Sequence, residues 1–443
     1  MAAVVARSPI DNRGRPTARA GCVGIALESR RGLSSAEVLA RSCAFGPVNR
    51  KMTTRRSSSR VLLASLIVVL ACGAPQRTEH ATDKSTTGRA HEIPVWQLSK
   101  QPLVTIGRTD GPPQFTFGSI VSSRILPDGR LAAVDRMQHN LRVFEPSGEL
   151  VANLGREGAG PGEFQFVVGM WVVPPDTIRV LDAATRRITT YLETGSLVES
   201  HRVTLGSGPE ASRGSPDLVV DGLPRGEVVL GWTIATLAGG PSSQDSMVFG
   251  RFGSTGELRQ VIGEEPGMRR SAGSPIVFTP FPFAVVLGDS LYFTNGQDAR
   301  ISVRGVSGGD TRSLELPIEM VSVGDAWRLM ADALRRKNKG VVPQRIAELP
   351  KAGSVPRIGG LLVGGHDEIW AKVFDPGADP VYVKSGSWGA GGEWLVVSRD
   401  GTLEAKISMP RDFMPTDVRG GEVLGIQTDS LGVQTLAVYR ISR

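Results

Sequence analysis

The chain has 443 residues, with Gly 54, Pro 29 and 6% aromatic residues, a balance that suits a turn-rich β protein better than a helical one. Its formal charge of +7 sits at the front: residues 1–72 hold 12 Lys and Arg against 3 Asp and Glu, leaving 39 against 41 for the rest. The main body therefore has no general attraction for nucleic acid. The three cysteines are Cys22, Cys43 and Cys72, and with none beyond 72 the main body can hold neither a disulfide framework nor a cysteine metal site.

Met52 opens "MTTRRSSSR", followed by the apolar run "VLLASLIVVLA" (61–71) and Cys72. A basic head, an 11-residue apolar run and small residues before a cut are the three regions of a secretory signal. The run is shorter than the about 20 residues that a bilayer span needs. The tetrapeptide "VLAC" (69–72) resembles a bacterial lipoprotein signal, with Val in place of the usual Leu at its first position. The resemblance implies cleavage after Ala71 and lipidation of Cys72, and several acyl chains anchor far more firmly than one. On this reading 1–51 is an upstream extension outside the true protein, 52–71 is the signal peptide, and Met52 is the start. Residues 72–94 have almost no apolar side chain and read as a flexible tether. Gly73 behind the lipidated position implies, among the resembling Gram-negative lipoproteins, export to the outer membrane. The expected location is the cell envelope: outer membrane, periplasm or cell surface.

From about residue 95 the chain repeats itself. "PDGRLAAVDRMQHNLRVFEPSGEL" (127–150) aligns with "PDTIRVLDAATRRITTYLETGSL" (175–197), so that Asp135 matches Asp182 and Phe144 matches Tyr191, each 47 residues apart. Weaker copies place one recurring strand at Leu141, Ile188, Phe249, Ile301, Trp394 and Leu436. Gly with Asp or Asn marks the tight hairpins between strands. Several strands, such as "LRVF", are apolar on both faces, as a sheet packed on both sides allows. Four-stranded sheets recurring every 40–50 residues predict an all-β, six-bladed β-propeller over 95–443. A β-sandwich would not repeat at a fixed spacing. The last copy ends at "TLAVYRISR" without an outer strand, and a spare strand, "LVTIG" (103–107), stands before the first copy. Pairing the two closes the ring and leaves no unpaired edge. In "GREGAGPGEF" (155–164) the glycines allow a tight crossing between blades, and Phe164 is expected to plug the space between their sheets.

One stretch breaks the repeat. In "SVGDAWRLMADALRRKNKGVVPQRIAELP" (322–350), Trp327, Met330, Ala331 and Leu334 share one helical face. Ser322 and Asp325 fit a capping box, and Pro343 starts a second short helix. This helical insertion is expected to cover apolar surface at one mouth of the propeller. Its far side carries Arg335, Arg336, Lys337 and Lys339, a candidate docking face for an acidic partner or glycan, although a solvated face is the commoner role for such a run.

"GREGAGPGEF", the "LxVFxxSGEL" strand pair (141–150) and "TDSLGVQTLAVYRI" (428–441) together resemble the bacterial six-bladed, NHL-type propeller lipoproteins. The resemblance covers about 97–441 and implies architecture rather than a reaction, since fold does not dictate activity. Local motifs add no chemistry. His80, His91, His139, His201 and His366 have no metal spacing, and neither a phosphate-binding glycine loop nor a GxSxG elbow is present. Asp135, Asp182 and Asn295 are repeat-equivalent and read as turn-bonding residues. The expected function is a monomeric, lipid-anchored binding module for a protein or glycan, without a catalytic residue, cofactor or metal. The alternative is a metal-assisted hydrolase or lyase of the gluconolactonase type, with Ca or another divalent metal held in the central channel.

Overall fold

The structure, a computed structural model, describes residues 92–207, 214–235, 242–365, 367–379 and 390–443. The signal, Cys72, the tether up to residue 91, and His80, His91 and His366 lie outside the described residues. Two short strands come first, β1 (Val95–Leu98) and β2 (Val104–Ile106). Blade 1 is β3 (Ile120–Ile125), β4 (Leu131–Asp135), β5 (Asn140–Phe144) and β6 (Leu150–Leu154), antiparallel in that order. Blade 2 is β7 (Val167–Val173), β8 (Thr177–Asp182), β9 (Arg187–Leu192) and β10 (Leu197–Arg202). Blade 3 is β11 (Leu218–Gly222), β12 (Val228–Ile234), β13 (Ser242–Phe252) and β14 (Leu258–Ser271), extended by β15 (Ser274–Pro275).

Blade 4 is β16 (Phe283–Leu287), β17 (Ser290–Thr294), β18 (Arg300–Gly305) and β19 (Arg312–Glu315). The helices α1 (Val323–Lys337) and α2 (Gln344–Ala347) follow. Blade 5 is β20 (Ile358–Val363), β21 (Ile369–Val373), β22 (Gly392–Val397) and β23 (Leu403–Met409). Blade 6 holds β24 (Phe413–Arg419), β25 (Glu422–Thr428) and β26 (Gln434–Ser442). Its fourth strand is β2, paired antiparallel with β26 as Val104 to Val438, Thr105 to Ala437 and Ile106 to Leu436. The fold is a six-bladed β-propeller closed by an N-terminal strand, as the repeat predicts. All six recurring strand positions fall in the third strand of successive blades.

Hydrophobic side chains sort into a layer at each blade-to-blade interface, which explains why strands are apolar on both faces. Phe144, Leu131 and Ile120 of blade 1 meet Leu424, Ile426 and Leu436 of blade 6, with Ile106 of β2 buried between them. Trp171 and Ile188 of blade 2 meet Trp232 and Phe252 of blade 3. The crossing at 155–164 behaves as its glycines suggest. Phe164 is fully buried against blades 1 and 2, 6.4 Å from the Tyr191 ring. Gly155 has φ +87°, and a Cβ there would fall 2.3 Å from the Phe164 ring.

The closure also contains a strand that the repeat does not reveal. β1 runs parallel to β23 of blade 5, with Val95 facing Lys406, and then antiparallel to β26 of blade 6, with Leu98 facing Ile441. Trp96 is buried there, edge-on to Trp370 at 6.3 Å, with the Arg443 guanidinium 4.2 Å from its ring centre. One segment thus joins the two blades.

In the insertion, Ser322 caps α1 by accepting from the Asp325 amide at 3.1 Å. The capping is not reciprocal: the Ser322 hydroxyl donates to the Asp325 carboxylate at 2.7 Å. Met330 and Ala331 are buried on Val277, Phe278 and Val355, with Trp327, Leu334 and Phe374 around them. Pro343 precedes α2, as expected. The helices therefore sit on the connection from blade 3 to blade 4 and on the loop after β21. They contribute no residue to the lining of the central cavity; the apolar surface they cover belongs to these connections, at the end where the chain crosses between blades. The blade-3-to-blade-4 loop is an apolar shelf long enough to hold them at the rim.

Ile106 is 2% exposed within the layer that joins the last blade to the first. Ile106→Ala should lower unfolding free energy by about 2–4 kcal/mol through lost burial and a residual cavity, read by urea denaturation. A chain beginning at Arg108 exposes the edge of β26 and should lose its cooperative thermal transition and aggregate on size exclusion. Unchanged melting of the truncated chain would show that the closing strand is dispensable.

Candidate functional site

Six inner strands, β3, β7, β11, β16, β20 and β24, ring a central cavity of about 1020 Å³. Each inner strand starts where the chain crosses from the preceding blade, so one mouth carries all the crossings and the turns between second and third strands. This is the crossing end. Five of the inner strands carry a register shift, among them those at Val219/Asp221 and Pro415/Asp417. A bulge sharpens local twist and re-aims the side chains around it, and Asp221 and Asp417 both stand directly after one. Much of the wall is apolar, including Val121, Val168, Met170, Val219, Val285 and Leu362.

Polar groups gather at the two ends. At the far end, Asp417 Oδ2 accepts from the Ile125 amide at 2.7 Å, and Arg124 Nη1 donates to the Thr416 carbonyl at 2.9 Å. The hydroxyls of Ser123 and Thr416 lie 2.5 Å apart. These contacts sew blade 6 to blade 1. Asp221, from blade 3, joins this end. Burial pushes its carboxyl above the ordinary range and Asp417 adds to the rise, while the Arg124 guanidinium and the Gly222 amide oppose it.

At the crossing end, Asp217 stands just before β11. Burial pushes its carboxyl up to about 6, against hydrogen bonding from Thr233. One carboxylate oxygen, Oδ1, is buried without a hydrogen-bond partner. The hairpin of β13 and β14 runs on past its blade, and Met268, Arg270 and Pro275 from this arm line the cavity. Arg270 pairs with the buried Asp245 at 3.2 Å. Glu265, on the same arm, is pushed up to about 7 by burial. Arg136, in the turn after β4, donates from Nε to the Val167 carbonyl at 2.8 Å and lies 4.3 Å from the centre of the Phe166 ring.

The residues singled out in the sequence divide cleanly. Asp135 is buried and accepts from the amides of Gly118 (2.8 Å), Ser119 (3.0 Å), Met137 (3.0 Å) and Gln138 (3.2 Å). Asp182 accepts from Gln165 (2.6 Å), Phe166 (2.7 Å) and Thr185 (2.8 Å). Each clamps the segment leading into its own blade to the turn after the second strand. The Asn295 side chain accepts from the Gln297 amide at 3.0 Å. His139 adopts φ 54° in a turn, and His201 is 2.9 Å from Glu199 on an outer strand; neither lines the cavity. Arg335, Arg336, Lys337 and Lys339 are exposed on the end of α1 and the turn beyond it, apart from the cavity, with Arg335 bonded to Asp332 at 2.7 Å. Cations in the last turn of a helix complement its free carbonyls. Among the described residues, no group of three or more His, Cys, Asp or Glu could hold a metal ion.

Sequence reading missed Arg136, Asp217 and the arm. Arg136 lies beside the repeat-matched Asp135, where a basic residue on a turn has the look of ordinary surface. The stretch before β15 matches no other repeat, and that mismatch is the signal it offered.

A family model described as a 6-bladed beta-propeller, DUF5128, matches residues 114–206, the stretch that holds blades 1 and 2. No curated protein matches the chain. Among solved structures, a Bacteroides fragilis NCTC 9343 protein described as exported aligns with TM-score 0.45 and 13% identity, over 79% of this chain and 96% of that one. A DUF4221 family member from Bacteroides vulgatus aligns with TM-score 0.43 and 10% identity, over 80% and 100%. Virginiamycin B lyase from Staphylococcus aureus aligns with TM-score 0.37 and 13% identity, over 79% and 89%. Over residues 114–206 the chain is thus similar to the six-bladed propeller proteins of that family.

The raised carboxyls give a pH signature. Asp217 holds its proton more tightly folded than unfolded, with about 6 against 3.8. Its contribution to stability is complete below the unfolded value and is lost as pH rises through the folded one. Melting temperature should fall between pH 4 and 7, with at most about 3 kcal/mol from this group. Asp217→Asn should melt higher than the parent at pH 7.5 and show a shallower slope. An identical slope in the variant would mean that Asp217 is well solvated.

Proposed function

We propose that the protein is a cell-envelope lipoprotein, held at Cys72, whose propeller is a binding module that receives its partner at the crossing end of the central channel. The observation that carries this reading is the mouth itself. It opens on a largely apolar cavity of about 1020 Å³ and is flanked on the same end by exposed apolar side chains. Met137 is 68% exposed, Phe166 44% and Leu431 82%, from the turns of blades 1 and 6 and the crossing into blade 2. Exposed apolar groups around a concavity mark a binding surface, and they favour a protein partner over a glycan. The basic tip of α1 at Arg335, Arg336 and Lys337 is a second contact on the insertion beside that end.

A second reading, hydrolase- or lyase-type proton transfer in the same channel, is favoured by Asp217, whose carboxyl stands at about 6 within the cavity wall. Under the binding reading, Asp217→Asn keeps the partner.

The test is co-purification from envelope extract. Met137→Glu with Leu431→Glu should lose the partner recovered by the parent, whereas Arg335→Glu with Arg336→Glu and Lys337→Glu should weaken it. A partner list unaffected by the first pair would overturn the mouth as the binding surface. Separately, Cys72→Ala should move the protein from the membrane to the soluble fraction, and a variant still in the membrane would end the anchor assignment.

A further inference from the structure

Arg136 is held in an unusual way for a cation at a cavity wall. Its Nε is tied to the Val167 carbonyl at 2.8 Å, and its guanidinium lies over Phe166 at 4.3 Å. Two neighbours thus fix the plane of the group. Among the described residues, its Nη1 and Nη2 donate to no acceptor, and no carboxylate pairs with it. The other channel arginines are engaged: Arg270 by Asp245 at 3.2 Å, and Arg124 by the Thr416 carbonyl at 2.9 Å. Burial draws the Arg136 guanidinium below its ordinary value, with no anion opposing the shift. A partly desolvated charge without a counter-charge is costly, and a guanidinium whose plane is already set presents two parallel donors to one anion.

The surroundings define the rest of the ligand. Val121, Val168, Val219 and Met247 line the channel between the two polar ends. Polar groups at the far end, Arg124, Asp221 and Asp417, are bonded to blade 1, blade 6 and their own backbone. The middle of the channel is thus apolar, and its free cation stands at the mouth.

We infer that the central channel binds a small amphipathic carboxylate, its apolar body among the inner-strand valines and Met247 and its carboxylate on the fork of Arg136. This goes beyond a protein partner at the rim, because the ligand is a free small molecule, and it shares with that reading only the choice of cavity. Phe166 serves as the platform that keeps the guanidinium flat. A cation over an exposed ring gains little free energy, so its part is alignment rather than affinity.

The experiment is calorimetric titration of the full-length protein with decanoate and with its uncharged counterpart decanamide. Decanoate should bind at least tenfold more tightly than decanamide. Arg136→Gln should remove that preference and weaken decanoate at least tenfold, while Arg136→Lys, which keeps the charge without the fork, should fall between. Val168→Trp, which fills the channel, should abolish binding of both compounds. Equal affinity of the parent for acid and amide overturns the carboxylate assignment and leaves the channel in place. Decanoate binding untouched by Val168→Trp overturns the channel as the site. The acid–amide comparison on the parent decides the matter even if the Arg136 variants fail to fold, and the rim variants Met137→Glu and Leu431→Glu read the protein partner independently.

Discussion

The last blade of this ring has four strands only because an N-terminal strand supplies the outermost one, which ties the two ends of the chain together. Here the join is three residue pairs between β2 and β26, with Ile106 buried between blades 6 and 1. Everything else in the molecule presupposes it. The inner strands face one another around a cavity because the ring is closed, and each interblade layer packs one blade against the next. β1 adds a second fastening, pairing with both blade 5 and blade 6. The segment that reads as the end of a flexible tether therefore becomes structural at Val95.

Within that constraint the buried carboxylates do two kinds of work, and position along the blade separates them. Asp135 and Asp182 lie at the ends of second strands and spend their acceptor capacity on backbone amides of the incoming crossing and the following turn. A carboxylate bonded to several amides is locked in place and has little left for a ligand. Asp217 and Asp221 lie on the inner strand or just before it, where fewer backbone amides donate to them, and burial raises both carboxyls. The same residue type is thus architectural on one strand and exposed to titration on the next.

That division explains how much could be read from residues alone. The blade count and the crossing at 155–164 were legible because each rests on local pattern: tight turns, paired apolar faces and glycines where φ is positive. The turn-bonding role of Asp135 and Asp182 was legible for the same reason, as was α1, whose buried side recurs at helical spacing. The cavity was not, since its wall takes a few residues from each of six strands spread between Ser119 and Gln434. No local spacing records which of those side chains meet. The basic run at 335–339 drew attention as a cluster in sequence, yet in the fold it caps a helix end at the rim. Arg136, alone in sequence, sits at the mouth of the channel.

The repeat accounts for why a solitary residue can carry recognition here. Blades 1 and 2 share their aspartate clamp, but the position after it differs: Arg136 follows Asp135, whereas Ala183 follows Asp182. Because the clamp fixes the turn in both blades, a change at the next position alters what the turn presents without altering how it folds. Arg136 also draws on its neighbour blade, taking its backbone acceptor from Val167 and its aromatic platform from Phe166. The crossing from blade 1 to blade 2 brings those two residues to the mouth, and the closed ring keeps them there. A propeller can therefore vary its ligand one turn at a time while its sheets and interblade layers stay as they are.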